Sequence, residues 1–234
     1  LMAVYAAMVD SVDQGIGRIL KTLEETGRRD DTIVLVFNDN GGCAEQAGGD
    51  DPTNIAGPKE HYVSCGAGWA WVQNVPFRRY KAWCHEGGIA TPLVVRWPGT
   101  VPAGTVTQEV GHVVDLLPTL VELAGASVPS NCEGVSLVPV LKGGKLAAPR
   151  TLYWAWQDNR ALREGDWKIA WEQDVRRWEL YDLSVDRTEM HDLATTDPER
   201  LLRMAVAWQG WAERTGAVHH LGEYNELKPP TPRK

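Results

Sequence analysis

An α/β architecture, followed by a small antiparallel sheet with a terminal helix, is the fold class this sequence predicts, and three observations predict it. A stretch of helical periodicity runs into a continuous apolar, β-branched segment of strand length. A second such segment follows beyond a long Gly- and Pro-rich connection, and together they outline a sheet flanked by helices. After about residue 150 the texture changes to short aromatic segments divided by turn residues, the pattern of hairpins. The expected division is therefore 1–149 for the α/β part and 150–234 for the small subdomain.

Each element follows from its residues. Tyr5, Met8, Val9, Val12, Ile16, Ile19, Leu20 and Leu23 recur at three- and four-residue intervals, which predicts a helix over Met2 to Glu25 with Gly27 closing it. Thr32 to Phe37 is a largely apolar run rich in β-branched residues, as in a strand buried on both faces of a parallel sheet. Pro92 to Trp97 reads the same way and is stopped by Pro98 and Gly99. The intervening Gly41 to Pro76 is too long and aperiodic for a plain connection and reads as a functional loop. Asp115 introduces a helix from Leu116 to Ala124, where Pro118 is tolerated because it falls in the first turn, and Gly125 ends it.

In the last third, Leu152 to Trp156, Ala161 to Arg163, Trp167 to Trp171 and Trp178 to Leu183 predict the strands of a small antiparallel sheet. Glu164, Gly165 and Asp166 form the hairpin signal between the middle two. Pro198 to Arg214 returns to helical spacing, with Leu201, Leu202, Ala205 and Trp208 expected on one face.

The 234 residues carry 43% hydrophobic content, enough for a sizeable core, and most of the eleven tryptophans sit where strands and helices need bulk. A net charge of -7 and a pI near 5.4 provide no basic stripe for phosphates, so no nucleic-acid partner is expected. No apolar run reaches the roughly 20 residues of a membrane-spanning helix. Cys43, Cys65, Cys84 and Cys132 are scattered without zinc-site spacing, and structural thiols and disulfides are equally open. The histidines show no HxH or HExxH spacing, and no nucleophile elbow, P-loop or dinucleotide fingerprint occurs.

Two places hold candidate chemistry. Asp39 and Asn40, with Gly41 and Gly42, follow directly on the first strand, where open α/β sheets gather ligands, and they offer hard oxygens of the kind Ca²⁺ or Mg²⁺ takes. As residue types alone they favour an ordinary tight turn. Lys81 lies before Glu86, Gly87 and Gly88, with Arg78 and Arg79 just upstream, and could grip a tetrahedral anion. Charge pattern alone favours a solvated basic face. Gly87 and Gly88 point to a backbone conformation closed to other residues.

Three segments together resemble the sulfatase family of the alkaline phosphatase superfamily, and especially its bacterial arylsulfatases. They are the helix with Tyr5 to Asp10 and Gly17 to Leu20 leading to Thr32–Gly42; the stretch from Pro76 through Lys81 and Glu86-Gly-Gly88 to Pro92 and Gly99; and Asp115-Leu-Leu-Pro-Thr119 with Leu123 to Gly125. Asn159 to Lys168 and Trp178 to Leu183 are similar to the family's small C-terminal subdomain, so the resemblance covers nearly the whole chain. It implies part of an alkaline-phosphatase-like sheet, with Asp39 and Asn40 as ligands of the active-site metal, usually Ca²⁺. It also implies Lys81 as the contact to the substrate sulfate, serving both binding and catalysis. Glu86-Gly87-Gly88 is expected to shape the approach, and Asp115 to start a helix.

The mechanism the resemblance implies uses a formylglycine made from Cys or Ser within a Cys/Ser-x-Pro-x-Arg-like motif; its hydrated aldehyde attacks sulfur and the alcohol leaves. None of the four cysteines stands in such a motif. The expectation is a C-terminal portion of a longer enzyme with its nucleophile upstream, acting on an aryl or carbohydrate sulfate, periplasmic or secreted. Alone, the chain is expected to be inactive and aggregation-prone. A phosphodiesterase or phosphonate hydrolase of the same superfamily, and a non-catalytic binding module, are the alternatives.

Overall fold

A computed structural model describes residues 1–46 and 53–217 of the chain. Its first helix, α1 (Met2–Glu25), has the bounds that the apolar spacing predicts. Gly27 closes it at φ 68°, with Gly27 N donating to Glu24 O at 3.1 Å and Arg28 N to Leu23 O at 2.8 Å, the paired bonds of a Schellman ending. Strands β1 (Val34–Phe37) and β2 (Leu93–Arg96) follow the two apolar runs.

Their pairing corrects the expectation of a parallel, doubly buried sheet: β1 and β2 run antiparallel, with Val34 opposite Arg96 and Phe37 opposite Leu93. Val94 remains 61% exposed and Met8, Val9, Val12 and Ile19 of α1 are each more than half exposed. Among the described residues these two strands are hydrogen-bonded only to each other, so neither has a second neighbour to enclose it. Helix α2 (Gly66–Asn74) occupies part of the segment read as a loop, and the one-turn α3 (Glu86–Ile89) holds the paired glycines.

Past β2, a 3₁₀ turn at Val113–Asp115 feeds α4 (Leu116–Leu123), and a further turn forms α5 (Val138–Leu141). Asp115 is fully buried and spends its carboxylate on backbone, accepting from His112 N at 2.7 Å and Val135 N at 3.0 Å. It gives no side-chain cap to α4; instead it closes a reciprocal capping box with His112 at the start of the 3₁₀ turn that leads into that helix.

Strands β3 (Thr151–Trp156), β4 (Asn159–Glu164), β5 (Trp167–Glu172) and β6 (Arg177–Asp182) form an antiparallel meander in that order. Glu164 pairs with Trp167, so Gly165 at φ 59° and Asp166 make the two-residue turn that the sequence signals. Helix α6 (Pro198–Thr215) is capped by Asp197, whose side chain accepts from Arg200 N at 3.1 Å, and ends at Gly216 in the left-handed region. Its buried face is Leu201, Met204, Ala205, Trp208 and Ala212. Leu202, expected there, is 55% exposed because it sits one position round the helix from that stripe.

The described chain divides into two compact units that interleave along the sequence. One comprises Ala3–Asp39 and Pro92–Pro149; the other takes Leu1–Met2 and the described residues of Asn40–Thr91 and of Arg150–Lys234. The Lys81 segment falls in the same unit as the four-stranded sheet.

Candidate functional site

Strand alternation gives the four-stranded sheet two buried faces of opposite character. Leu162, Ile169, Trp171, Trp178 and Leu180 pack with Leu201, Met204, Ala205 and Trp208 of α6. Trp178 contacts Trp171 and Trp208 edge-on at centroid distances of 5.5 and 5.7 Å, which accounts for much of the tryptophan content as core. The intervening residues, Ala161, Lys168, Ala170, Glu172, Glu179 and Tyr181, face the other way, onto the segment Arg78–Glu86. Ala161 and Ala170 are small and admit Cys84 against the strands.

Charge then locks that segment down. Arg78 donates through Nη1 to Glu179 Oε2 at 2.9 Å and to the Tyr181 hydroxyl at 2.7 Å, and through Nη2 to Glu172 Oε2 at 2.7 Å. Lys168, with no exposed surface, places Nζ 2.9 Å from Glu86 Oε1 and 2.8 Å from Glu189 Oε1. Glu189 also accepts from Glu86 N at 2.7 Å. Burial pushes the Glu86 carboxyl up, but the Lys168 charge and hydrogen bond outweigh it and hold it below the usual range. Glu179 follows the same logic: hydrogen bonds from His85 and Tyr181 and the Arg78 charge overcome its desolvation, and its pKa is strongly depressed. Burial, then the Glu179 charge, pushes the Tyr181 phenol upward.

His85, Glu172 and Glu179 bring ligand-type atoms within 4.8 Å of one another. The Arg78 guanidinium already lies between the two carboxylates at 2.7 and 2.9 Å, and Arg79 adds a second positive charge 2.6 Å from Glu172, so two cations face the two carboxylates. The basic-face reading of Arg78 and Arg79 is thus corrected: both side chains are 19% exposed and paired with carboxylates of the C-terminal sheet.

The glycines are explained by closeness rather than by dihedral angle. Gly87 and Gly88 lie in α3 outside the positive-φ region, but a Cβ on Gly87 would strike the carbonyls of Arg78 and Arg79, and one on Gly88 those of Trp83 and Tyr80. The same applies across the junction, where a Cβ on Gly41 would strike the Gly87 carbonyl. Gly41 N donates to Gly88 O at 3.0 Å and Lys81 N to Gly42 O at 2.9 Å. The Asn40–Gly42 and Lys81–Gly88 segments are therefore stitched together by main chain, which brings Asn40 and Lys81 into one neighbourhood.

Within it, Asn40 Nδ2 donates to Gly41 O at 2.9 Å. Asp39, the residue before, is exposed at the end of β1. Lys81 extends Nζ to Glu45 Oε2 at 2.8 Å and lies 4.0 Å from Cys43 Sγ. The hydrogen bond from Lys81, then one from Cys43, holds the exposed Glu45 carboxyl below its ordinary range. An anionic oxygen thus already rests on the lysine.

Sequence reasoning missed the charged residues that anchor this segment, because Lys168, Glu172 and Glu179 alternate with apolar residues as exposed residues of a half-buried strand do. The available signal was Ala161 and Ala170, small residues in the middle of the charged face. Burial pushes the Cys84 thiol up to about 12, with Lys168 partly opposing. A maleimide at pH 8 is accordingly expected to label the partly exposed Cys43, Cys65 and Cys132 and to spare Cys84 until denaturant is added. Native labelling of Cys84 at the rate of the others would refute its packing under the strands.

A family model described as sulfatase matches residues 1–126, and one described as N-sulphoglucosamine sulphohydrolase, C-terminal, matches residues 78–207. An uncharacterized sulfatase of Schizosaccharomyces pombe is 31% identical over 93% of this chain and 44% of its own length. An N-acetylglucosamine-6-O-sulfatase of Bacteroides thetaiotaomicron is 29% identical over 81% of this chain and 31% of its own. The crystal structure of Ps i-CgsB in complex with k-i-k-neocarrahexaose superposes with a TM-score of 0.71 at 26% identity, covering 89% of this chain and 42% of that one. The chain spans less than half the length of these relatives.

Proposed function

The chain belongs to the sulfatase family, and on that premise we propose that it is the C-terminal portion of a longer enzyme that hydrolyses sulfate esters, with Lys81 gripping the sulfate and Asp39 and Asn40 holding Ca²⁺. The observation that carries this reading is the main-chain stitching of the Asn40–Gly42 segment to the Lys81–Gly88 segment, which ties the stretch that bears the proposed oxygen ligands to the stretch that bears the lysine. The donor set is hard oxygen, which fits Ca²⁺. When bound, the cation would neutralise charge on the sulfate oxygens.

The side chains present would bind and orient. Lys81 donates to a sulfate oxygen in place of Glu45, an exchange made easy by the exposure of that ion pair. Glu86, consumed by Lys168 and Arg187, takes no part in proton transfer and serves to fix the backbone around Gly87 and Gly88. The nucleophile, a formylglycine, and the remaining sulfate contacts would come from the part of the relatives that this chain does not span. The open apolar faces of α1 and β2 support a longer protein, since a sheet of this sequence is normally covered. No described helix is long and apolar enough to cross a membrane.

The substrate class is an aryl or carbohydrate sulfate. The test is turnover by the whole protein of p-nitrophenyl sulfate against bis-p-nitrophenyl phosphate, with and without a calcium chelator. The expected result is a preference for the sulfate, lost on chelation and restored by Ca²⁺. A clear preference for the phosphodiester would replace this reading with the phosphodiesterase one. The isolated 234-residue chain is expected to be silent on both.

A further inference from the structure

Lys81 sits between two residues whose backbone is unusual: Arg79 at φ 68° and Ala82 at φ 79°, both in the region that side-chain-bearing residues seldom occupy. Such conformations persist only where the surroundings enforce them. Around Arg79 the surroundings supply four contacts. Its Nη2 donates to Glu172 Oε2 at 2.6 Å and to Asp174 Oδ2 at 3.1 Å, its guanidinium lies 4.0 Å from the centroid of the Trp83 ring, and its carbonyl accepts from Asn74 Nδ2 at 3.2 Å.

Glu172 is the centre of this arrangement. Its carboxylate, 3% exposed, takes both Arg78 and Arg79 on the same oxygen, at 2.7 and 2.6 Å. The two residues that open the turn are thereby fixed to β5, while Lys81 N is fixed on the other side by Gly42 O. From this tethered backbone the Lys81 side chain reaches Glu45 Oε2 at 2.8 Å.

We propose that Glu172 is a positioning residue for Lys81, acting through Arg79: it touches no substrate, and it holds the left-handed turn that aims the ammonium group. The proposal rests on the reading of Lys81 as the sulfate contact. Its novelty is the direction of dependence, with a strand of the C-terminal sheet setting the geometry of a residue about ninety positions earlier.

The test is a double-mutant cycle in the whole protein, measuring kcat/KM on p-nitrophenyl sulfate for Glu172→Gln, Lys81→Ala and the pair, with circular dichroism to register folding. Glu172→Gln keeps the shape and removes the charge that holds the guanidinium. It is expected to lower kcat/KM about ten- to a hundredfold, the scale of a misplacement of about 1 Å, and to have no further effect once Lys81 is alanine. Losses that multiply in the pair would overturn the proposal, since a merely structural carboxylate weakens the protein whether or not the lysine is there. So would an unchanged kcat/KM for Glu172→Gln.

Should Glu172→Gln fail to fold, Arg79→Lys enters the same cycle, because it keeps the charge and loses only the planar fork. The same coupling is expected, and multiplicative losses again reject the idea. Wild-type activity of Lys81→Ala alone has a different meaning: it removes the sulfate-contact reading itself, and this proposal with it.

Discussion

Replacing Lys168 by methionine is expected to remove about 3–5 kcal/mol of stability, because it leaves the buried carboxylates of Glu86 and Glu189 without their shared counter-charge. Methionine fills nearly the same space, so the loss is electrostatic rather than a cavity. Urea unfolding followed by tryptophan fluorescence reads it directly, since Trp171, Trp178 and Trp208 lie in the core on the opposite face of the same sheet. The pH dependence supplies an independent signature. The folded Glu86 and Glu179 carboxyls sit below their unfolded values, so their contribution is complete above the ordinary carboxyl range of about 4.3 and is lost as pH falls through the folded values. Lys168, pulled down by burial but raised on balance by Glu189 and Glu86, contributes fully below about 10.4 and loses its effect as pH climbs past its folded value. In Lys168→Met, Glu86 no longer has its ammonium partner and takes up a proton more readily. The gap between wild type and variant should therefore narrow as pH is lowered from 7 toward 4. A gap of under about 1 kcal/mol at pH 7, or one that widens in acid, would mean the network does not anchor the segment.

The parts of the fold that were legible in the sequence are those governed by local rules. The spacing of Tyr5 to Leu23 and the glycine at 27 define α1 because helix periodicity and a left-handed ending depend on neighbours along the chain. The Gly165 turn is local in the same sense, and so is the capped start of α6 at Asp197. What was illegible depends on a partner distant in sequence. Arg78 and Arg79 read as a solvated face because their carboxylates stand about ninety to a hundred positions later. Gly87 and Gly88 read as dihedral requirements, whereas the constraint is the approach of carbonyls from Arg78 to Trp83. Runs such as Thr32–Phe37 announce a strand but not its direction, since an all-apolar pattern carries no information on pairing.

The site divides along the same line. Asp39, Asn40 and Lys81 were named from residue type, position and resemblance; the backbone bonds that bring Asn40 to Lys81, and the carboxylates beneath the turn, required the fold. Lys81 is also more than a charge on a loop. Its main chain is fixed by Gly42, and its flanking residues are held in conformations that only external contacts sustain. That is the construction expected of a group whose aim contributes to its proposed role.

In the whole protein, Asp39→Ala and Lys81→Ala are expected to fail in different ways. Asp39 offers an exposed carboxylate at the end of β1, and in the proposed site it supplies the charged oxygen beside the neutral one of Asn40. Its loss removes a formal negative ligand, so calcium binding measured by calorimetry should weaken beyond detection at micromolar protein, and calcium-dependent turnover should vanish with it. Lys81 approaches the anion and not the cation. Lys81→Ala should bind calcium as the wild type does and lose about 10²–10³ in kcat/KM, the scale of removing one donor to developing negative charge. Glu45→Gln tests the same geometry from the other side: the carboxylate that now occupies the ammonium at 2.8 Å would no longer compete, so KM should fall several-fold with kcat little changed. Calcium binding retained in Asp39→Ala would remove that residue from the metal site. Wild-type kinetics for Lys81→Ala would remove the sulfate contact, and a raised KM for Glu45→Gln would mean that Glu45 helps to hold the substrate in place of competing with it.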